Sequence, residues 1–275
     1  MTNTPICTLI ISVYKNTRFL GCVLDSLAYQ TEQHFEVIIS EDGDSEEMRT
    51  FLNGRHFDQP WQHLTQKDEG WRKNRALNSA IRAAHSDHLI FIDGDCVLHP
   101  RFIEMHVRHF APDAILAGKR VMLSERLSDR IISNPSKIRT LQPAMWSALL
   151  WHRGTERAEE GLFLSPDGLL GFIPRKRKLE YLTGCNMSFS RQAIERINGF
   201  DEDYVKPAYG EDTDLVWRFK MAGFRFVSLR NMAVQYHLWH KKGWTDQSEN
   251  QRMGEAKRQR GEFVCRNGLY LSSHL

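Results

Sequence analysis

The feature that most constrains this chain is a set of short apolar runs that each end in an acidic turn. Thr8–Val13 (TLIISV), Phe35–Ser40 (FEVIIS) and His88–Ile92 (HLIFI) are rich in β-branched residues and lack polar alternation. Such runs suit strands buried on both faces of a parallel sheet. Between them lie helical patterns. One runs from a cap at Asn16 or Thr17 to about Gln30, with Leu20, Val23, Leu24 and Leu27 on one face. Another covers Lys73–Ala84, with Ala76, Leu77, Ala80, Ile81 and Ala84 inward. Trp61–Gln66 is a weaker strand. Alternation of this length predicts right-handed βαβ crossovers, an α/β class with an open, mostly parallel sheet flanked by helices. Ligands of such sheets sit beyond the carboxyl ends of the strands. Glu41-Asp42-Gly43-Asp44 and Asp93-Gly94-Asp95 both fall there and are expected to share one crevice.

Beyond the first half the pattern changes. Residues 120–178 hold Pro143, Trp146, Trp151, Pro166, Pro174 and the basic run Arg175–Lys178 without steady periodicity, and read as insertions or a flank. Order returns with a strand at Tyr181–Ser190 and a helix at Arg191–Ile197 ended by Asn198-Gly199. A helix at Asp212–Met221 and strands at Phe224–Ser228 and Ala233–Tyr236 follow. The expected organisation is a single domain over residues 1–240, made of two halves (1–110 and 111–240), and a tail (241–275) packing on or flanking the site.

The bulk properties exclude several classes. In 275 residues no stretch reaches the about 20 apolar residues of a membrane span. Met1–Pro5 is short and polar, so no signal peptide is expected. The five cysteines are odd in number and have no CxxC spacing, which favours a reducing setting over a disulfide framework. A net charge of +3 is too small to argue for nucleic acid. The expectation is a cytoplasmic protein, soluble or bound at a membrane surface. For contact with anionic phospholipid or phosphorylated glycan the candidates are Arg175–Lys178, Lys257–Arg260 and the aromatic residues Trp146 and Trp151.

Four constellations carry chemistry. In Asp93-Gly94-Asp95 two carboxylates flank a glycine after a buried strand, so both can turn toward a hard cation such as Mg²⁺ or Mn²⁺ that clamps a diphosphate. Gly210-Glu211-Asp212-Thr213-Asp214 puts three acids at a helix start, more than dipole compensation needs, and offers a general base for a hydroxyl. Tyr236-His237-Leu238-Trp239-His240 follows a strand and supplies His237 as a third metal ligand; its spacing is not HExxH. Lys67–Arg75 (KDEGWRKNR) leads a glycine turn into a basic helix start suited to phosphate. Neither a P-loop nor a GxGxxG fingerprint occurs.

In this order the motifs resemble a family-2 glycosyltransferase with the GT-A fold. TLIISVYKN, SEDGD and EGWRKNRALNSAIRAAHSDHLIFIDGDCVLHPRFIEMH are similar to that family's first half. YLTGCNMSFSRQAIERINGFDEDYVKPAYGEDTDLVWRFKMAGF resembles the C-terminal part of galactosyltransferase and chondroitin-polymerase types. The resemblance implies a UDP-sugar donor and a Mn²⁺ or Mg²⁺ cofactor. An aspartate at position 212, beside Glu211 at a helix start, predicts displacement with inversion, and the basic and Trp-bearing flanks suggest a glycan or glycolipid acceptor of surface-polysaccharide or lipopolysaccharide synthesis. The resemblance also implies a donor site at Val13, Asp42, Arg72, Asn78, Asp93, Gly94 and Asp95, and a metal on Asp93, Asp95 and His237. Asp212 would be the base and Glu211 would meet the acceptor. Ser40-Glu41-Asp42 stands where Val-Asp-Asp is usual, leaving open which acid faces the nucleobase. The rival enzyme class, a sugar-nucleotide pyrophosphorylase, wants a glycine-rich loop after the first strand; Ser12–Asn16 has none. A glycan-binding module would leave the DGD and GEDTD acids unexplained.

Overall fold

The structure, a computed structural model, describes residues 4–151, 154–207, 209–241, 243 and 246–270, with only the backbone of Trp151 described. The chain opens with β1 (Cys7–Val13), α1 (Thr17–Leu27), β2 (Phe35–Glu41), α2 (Glu46–Asn53), β3 (Trp61–Leu64), α3 (Lys73–Ala83) and β4 (His88–Asp93). It continues through β5 (Cys96–Leu98), α4 (Phe102–His109), β6 (Ala114–Ala117), β7 (Val121–Met122), α5 (Glu125–Ser133), α6 (Leu141–Trp151) and α7 (Phe172–Lys176). Last come β8 (Met187–Ser190), α8 (Arg191–Arg196), α9 (Asp212–Met221), β9 (Arg225–Ser228), β10 (Gln235–His237) and α10 (Ser248–Gln259).

Seven strands form one sheet in the order β3-β2-β1-β4-β8-β6-β9. All neighbours are parallel except β8, which is antiparallel to both β4 and β6. The apolar runs explain the centre. With a side-chain period of two, Leu9, Ile11, Val37, Ile39, Ile90 and Ile92 enter a core shared with α1 and α4. Ile10, Ile38, Leu89 and Phe91 enter a second core on the other face, beneath α3, α8 and α9. Burial on both faces is why these strands read as unbroken apolar runs.

Register then sets the site. Ser12 pairs with Asp93 and Val13 with Glu41, so β1, β2 and β4 end level with one another. A small sheet, β5-β10-β7, lies beyond that edge. There His237 pairs with Cys96, and the Leu238 N–H donates to the Asp95 carbonyl at 2.9 Å. Strand pairing thus carries His237 to the acidic turn from 142 residues further along the chain (237 less 95).

The structure corrects several boundaries. The expected strand Tyr181–Ser190 begins only at Met187. Residues 181–186 form a loop because Asn186 turns its amide inward to the carbonyls of Lys119 and Ala233. Residues 120–178 are not irregular: they hold α5, α6, α7 and two 3₁₀ turns. α6 (LQPAMWSALLW) is apolar around most of its circumference, so no stripe marks it, and its Pro143 sits in the first turn where the missing N–H costs little. α2, capped by Ser45 onto the Met48 N–H, was also unmarked. All five cysteines are free and buried.

The tail packs beside the segment that leads to Glu211. Lys257 of α10 pairs with Asp201 at 2.5 Å and Asp203 at 2.6 Å, and Asn250 donates to the carbonyls of Lys206 and Tyr209. Among the described residues, no helix is long and apolar enough to cross a membrane.

Candidate active site

At the carboxyl edge of β1, β2 and β4 opens a cavity of about 510 Å³, bordered by Val13, Asp42, Trp71, Lys73, the Asp93–Asp95 turn and His240 among others. Gly94 packs closely there. Its N–H donates to the Ser12 carbonyl at 2.7 Å, and a Cβ would come 3.1 Å from the Val13 side chain. The turn therefore lies flat against β1 and its two carboxylates diverge.

Asp95 faces the small sheet. Its Oδ2 is 3.3 Å from His237 Nε2 and 3.4 Å from His240 Nε2. Burial alone would raise its pKa, but the two imidazoles outweigh burial and hold the carboxyl well below the ordinary range. The bond to Asp95 in turn raises His240. One ligand atom from each of these three side chains lies within 4.8 Å of the others, the spacing of a cation site. The Nδ1 of His237 is buried with no hydrogen-bond partner among the described residues.

Asp93 faces the other way. Lys73 Nζ lies 2.7 Å from Asp93 Oδ1 and 2.7 Å from Glu211 Oε1, and Arg120 approaches Asp93 Oδ2 at 3.7 Å. Asp93 is thus held by cations, and its carboxylate groups with the Cys96 and Cys185 sulfurs rather than with Asp95, His237 and His240. The Lys73 ammonium joins the DGD turn to the acidic helix start. Burial would lower its pKa, but the two carboxylates raise it above the usual lysine range. Glu211 lies in a tight pocket. Burial pushes its pKa up to about 7; Lys73 opposes the rise, while the charges of Asp93 and Asp212 reinforce it.

Glu211 and Asp212 share the loop before β8. A Cβ on Gly184 would fall 2.4 Å from Glu211 Oε1 and displace that carboxylate, and the Gly184 N–H donates to Asp212 Oδ2 at 3.2 Å. The third acid of the motif has a different task. Asp214 is buried, accepts from Arg218 at 2.9 Å, and is reached by Tyr204 and Trp217. It is a packing carboxylate.

The remaining expected donor residues separate. Asp42 borders the cavity and accepts from the Arg72 N–H at 2.8 Å and from Gln66 at 2.6 Å, fastening the Gly70–Arg72 loop to β2. Glu41 instead pairs with His63 at 2.9 Å and accepts from the Ser45 N–H. Arg72 contributes its backbone to this arrangement, and its guanidinium donates to the Trp71 carbonyl. Asn78, expected at the donor site, is fully buried and exchanges hydrogen bonds with Phe200 while donating to Glu202. It lies five residues into the helix from Lys73, about 7 Å down the axis from the cavity edge. Lys73, His240 and Arg120 are the members whose places the sequence did not reveal, though Lys73 stands in the basic helix start. His240 stands in a visible His-Leu-Trp-His spacing, whereas nothing near Arg120 marks it.

Residues 173–241 match the domain described as the N-terminal domain of galactosyltransferase. Hyaluronan synthase of Pasteurella multocida is 21% identical over 242 residues, 84% of this chain and 24% of that protein. Validoxylamine A glucosyltransferase of Streptomyces hygroscopicus subsp. jinggangensis is 27% identical over 235 residues, 80% of this chain and 53% of that protein. The chain thus spans about a quarter to a half of these curated relatives. Among solved structures, the Pyrobaculum calidifontis mannosyltransferase in complex with GDP-Man and Mn²⁺ superposes with a TM-score of 0.55 at 17% identity, covering 95% of this chain and 64% of that one. The S. aureus TarS fragment 1–349 with UDP-GlcNAc gives a TM-score of 0.59 at 14% identity, covering 91% and 66%. Such likeness establishes the GT-A glycosyltransferase fold. Residues 8–197, more than half of the chain, match glycosyl transferase family 2, and the chain belongs to that family.

Proposed function

We propose that this chain transfers a sugar from a UDP-sugar to a hydroxyl of a glycan or glycolipid, with a divalent ion and inversion at the anomeric carbon. Residues 1–110 hold the donor and residues 111–240 the acceptor, in one domain. The setting is surface-polysaccharide or lipopolysaccharide synthesis at the inner face of a membrane. The observation that carries the reading is the divergent Asp93-Gly94-Asp95 turn, with two histidines on one carboxylate and Lys73 on the other. Relatives named as polysaccharide synthases and a solved neighbour with UDP-GlcNAc support the substrate class.

The side chains fit a metal. One carboxylate oxygen and two imidazole nitrogens lie within reach of a single ion, and the mixed oxygen–nitrogen set favours Mn²⁺ over Mg²⁺. Bound by Asp95, His237 and His240, such an ion supplies Lewis-acid neutralisation of the departing diphosphate. The rest belongs to the chain. Asp42 fixes the loop beside the nucleotide, and Val13 and Gly94 let the donor approach the backbone. Lys73 holds Asp93 and Glu211 in one arrangement. Glu211 meets the acceptor, and its raised pKa leaves it able to donate a hydrogen bond near neutrality. Asp212 takes the proton of the attacking hydroxyl, its second oxygen steadied by the Gly184 N–H.

Asp212→Asn tests the assignment. It should bind UDP with Mn²⁺ as the parent does in calorimetry and lose turnover on the order of 10²–10⁴-fold. NMR of the product from an α-linked donor should show a β linkage. An α-linked product, or near-normal turnover of the variant, overturns the single-displacement reading.

A further inference from the structure

The two basic runs of the chain have opposite fates. In Lys257–Arg260, Lys257 is consumed by Asp201 and Asp203 and Arg260 pairs with Glu262. In Arg175–Lys178, Arg177 meets Glu160 and Asn231, Arg175 donates to the Pro166 carbonyl, and Lys176 lies over the Phe172 ring at 5.8 Å. The nearby acids are already engaged: Glu160 also takes Arg230, Asp167 pairs with Arg108, and Glu180 is 3.7 Å from Lys220. Among the described residues no carboxylate pairs with Lys176 or Lys178. Directly before this run the chain exposes apolar side chains: Leu169 is 98% exposed, Phe172 54% and Leu170 48%. A cavity of about 550 Å³ opens among Arg108, Arg175, Arg177 and Lys178, room for a phosphate-bearing headgroup.

An apolar ledge followed at once by uncompensated cations matches the depth profile of an anionic bilayer, acyl boundary first and headgroups above it. We infer that residues 169–178 (LLGFIPRKRK) dock the protein on an anionic phospholipid surface, with Leu169, Leu170 and Phe172 entering the interface and Arg175, Lys176 and Lys178 meeting the phosphates. This deepens the membrane placement proposed above by naming the surface. It moves the anchor from Trp146, 49% exposed on α6, to the α7 segment; the Trp151 side chain lies outside the described residues.

Vesicle sedimentation of the full chain separates the contributions, with phosphatidylcholine alone and phosphatidylcholine mixed with phosphatidylglycerol. The protein should sediment with the anionic vesicles at low salt and be released at high salt. Lys176→Gln with Lys178→Gln should weaken that binding roughly 25-fold, about fivefold for each cation removed. Leu169→Ser with Phe172→Ser should weaken it at least tenfold with every charge intact. Both double variants should keep the parent's UDP-dependent rise in melting temperature, so loss of docking is read separately from loss of the transferase site. Equal sedimentation with neutral and anionic vesicles overturns the inference. So does binding that heparin supports equally and the Leu169/Phe172 variant leaves unchanged, which would make the cluster a site for soluble polyanions.

Discussion

The two sides of the crevice begin one residue from Gly94 in opposite directions and are built by different physics. On the histidine side, Asp95 meets His237 and His240, groups that can be neutral or charged, around a space fit for a cation. On the lysine side, Asp93 and Glu211 share one buried ammonium, and that region carries its own counter-ion. The first arrangement has the spacing of a cation site, whereas in the second the Lys73 ammonium already faces both carboxylates. A turn that reads as a symmetric pair of ligands is therefore divided, with Asp95 turned to the two histidines and Asp93 to Lys73 and Arg120.

The comparison can be broken at three points, in descending size of effect. Asp95→Ala removes the charge that defines the histidine side. It should cost turnover on the order of 10³-fold at saturating Mn²⁺, several kcal/mol of charge stabilisation, while the far-UV spectrum stays that of the parent. Turnover within a few-fold of the parent would make Asp95 no ligand. On the lysine side the pH dependence of stability is diagnostic. Glu211 has a folded pKa of about 7 against an ordinary value of 4.5, so between those values the folded state binds more protons than the unfolded state. Metal-free protein should lose stability as pH rises through that window and level off above it, with a total on the order of 3 kcal/mol. Glu211→Gln abolishes the fall. In chemical denaturation it should therefore match the parent near pH 4.5 and exceed it near pH 8. Parallel curves for the two proteins would mean Glu211 ionises normally. The smallest effect belongs to His240, at the exposed end of its cluster with a side chain 44% accessible. His240→Ala should raise the Mn²⁺ concentration for half-maximal activity about tenfold and spare the rate at saturation. A loss as deep as that of Asp95→Ala would place His240 at the centre of the site.

Legibility followed the range of the forces involved. The strands of the first half are legible because burial on both faces writes itself into each residue: Ile10 and Ile11 serve different cores, yet both must be apolar. The Asp93-Gly94-Asp95 turn is legible because it abuts such a strand. The division of labour between its acids is not, since it depends on Lys73, Arg120 and the histidines, which meet it only through tertiary structure. Asn78 misled for the converse reason. It stands in a stretch resembling the donor motif, but helix rise carries it into the interior, where it ties α3 to Phe200. Residues 120–178 hid their helices because α6 presents apolar residues nearly all round, which erases the stripe that periodicity needs.

The antiparallel strand β8 has a mechanical consequence. It is hydrogen-bonded to β4 on one side and to β6 on the other, so the sheet runs unbroken from β3, β2, β1 and β4 to β6 and β9. A seam of that kind resists shear and bending, because opening it would rupture a ladder on one flank of β8. Continuous pairing across β8 couples the two flanks of the sheet into one frame, so movement on ligand binding is expected in the connecting segments. Small-angle scattering should accordingly return the same radius of gyration with and without nucleotide.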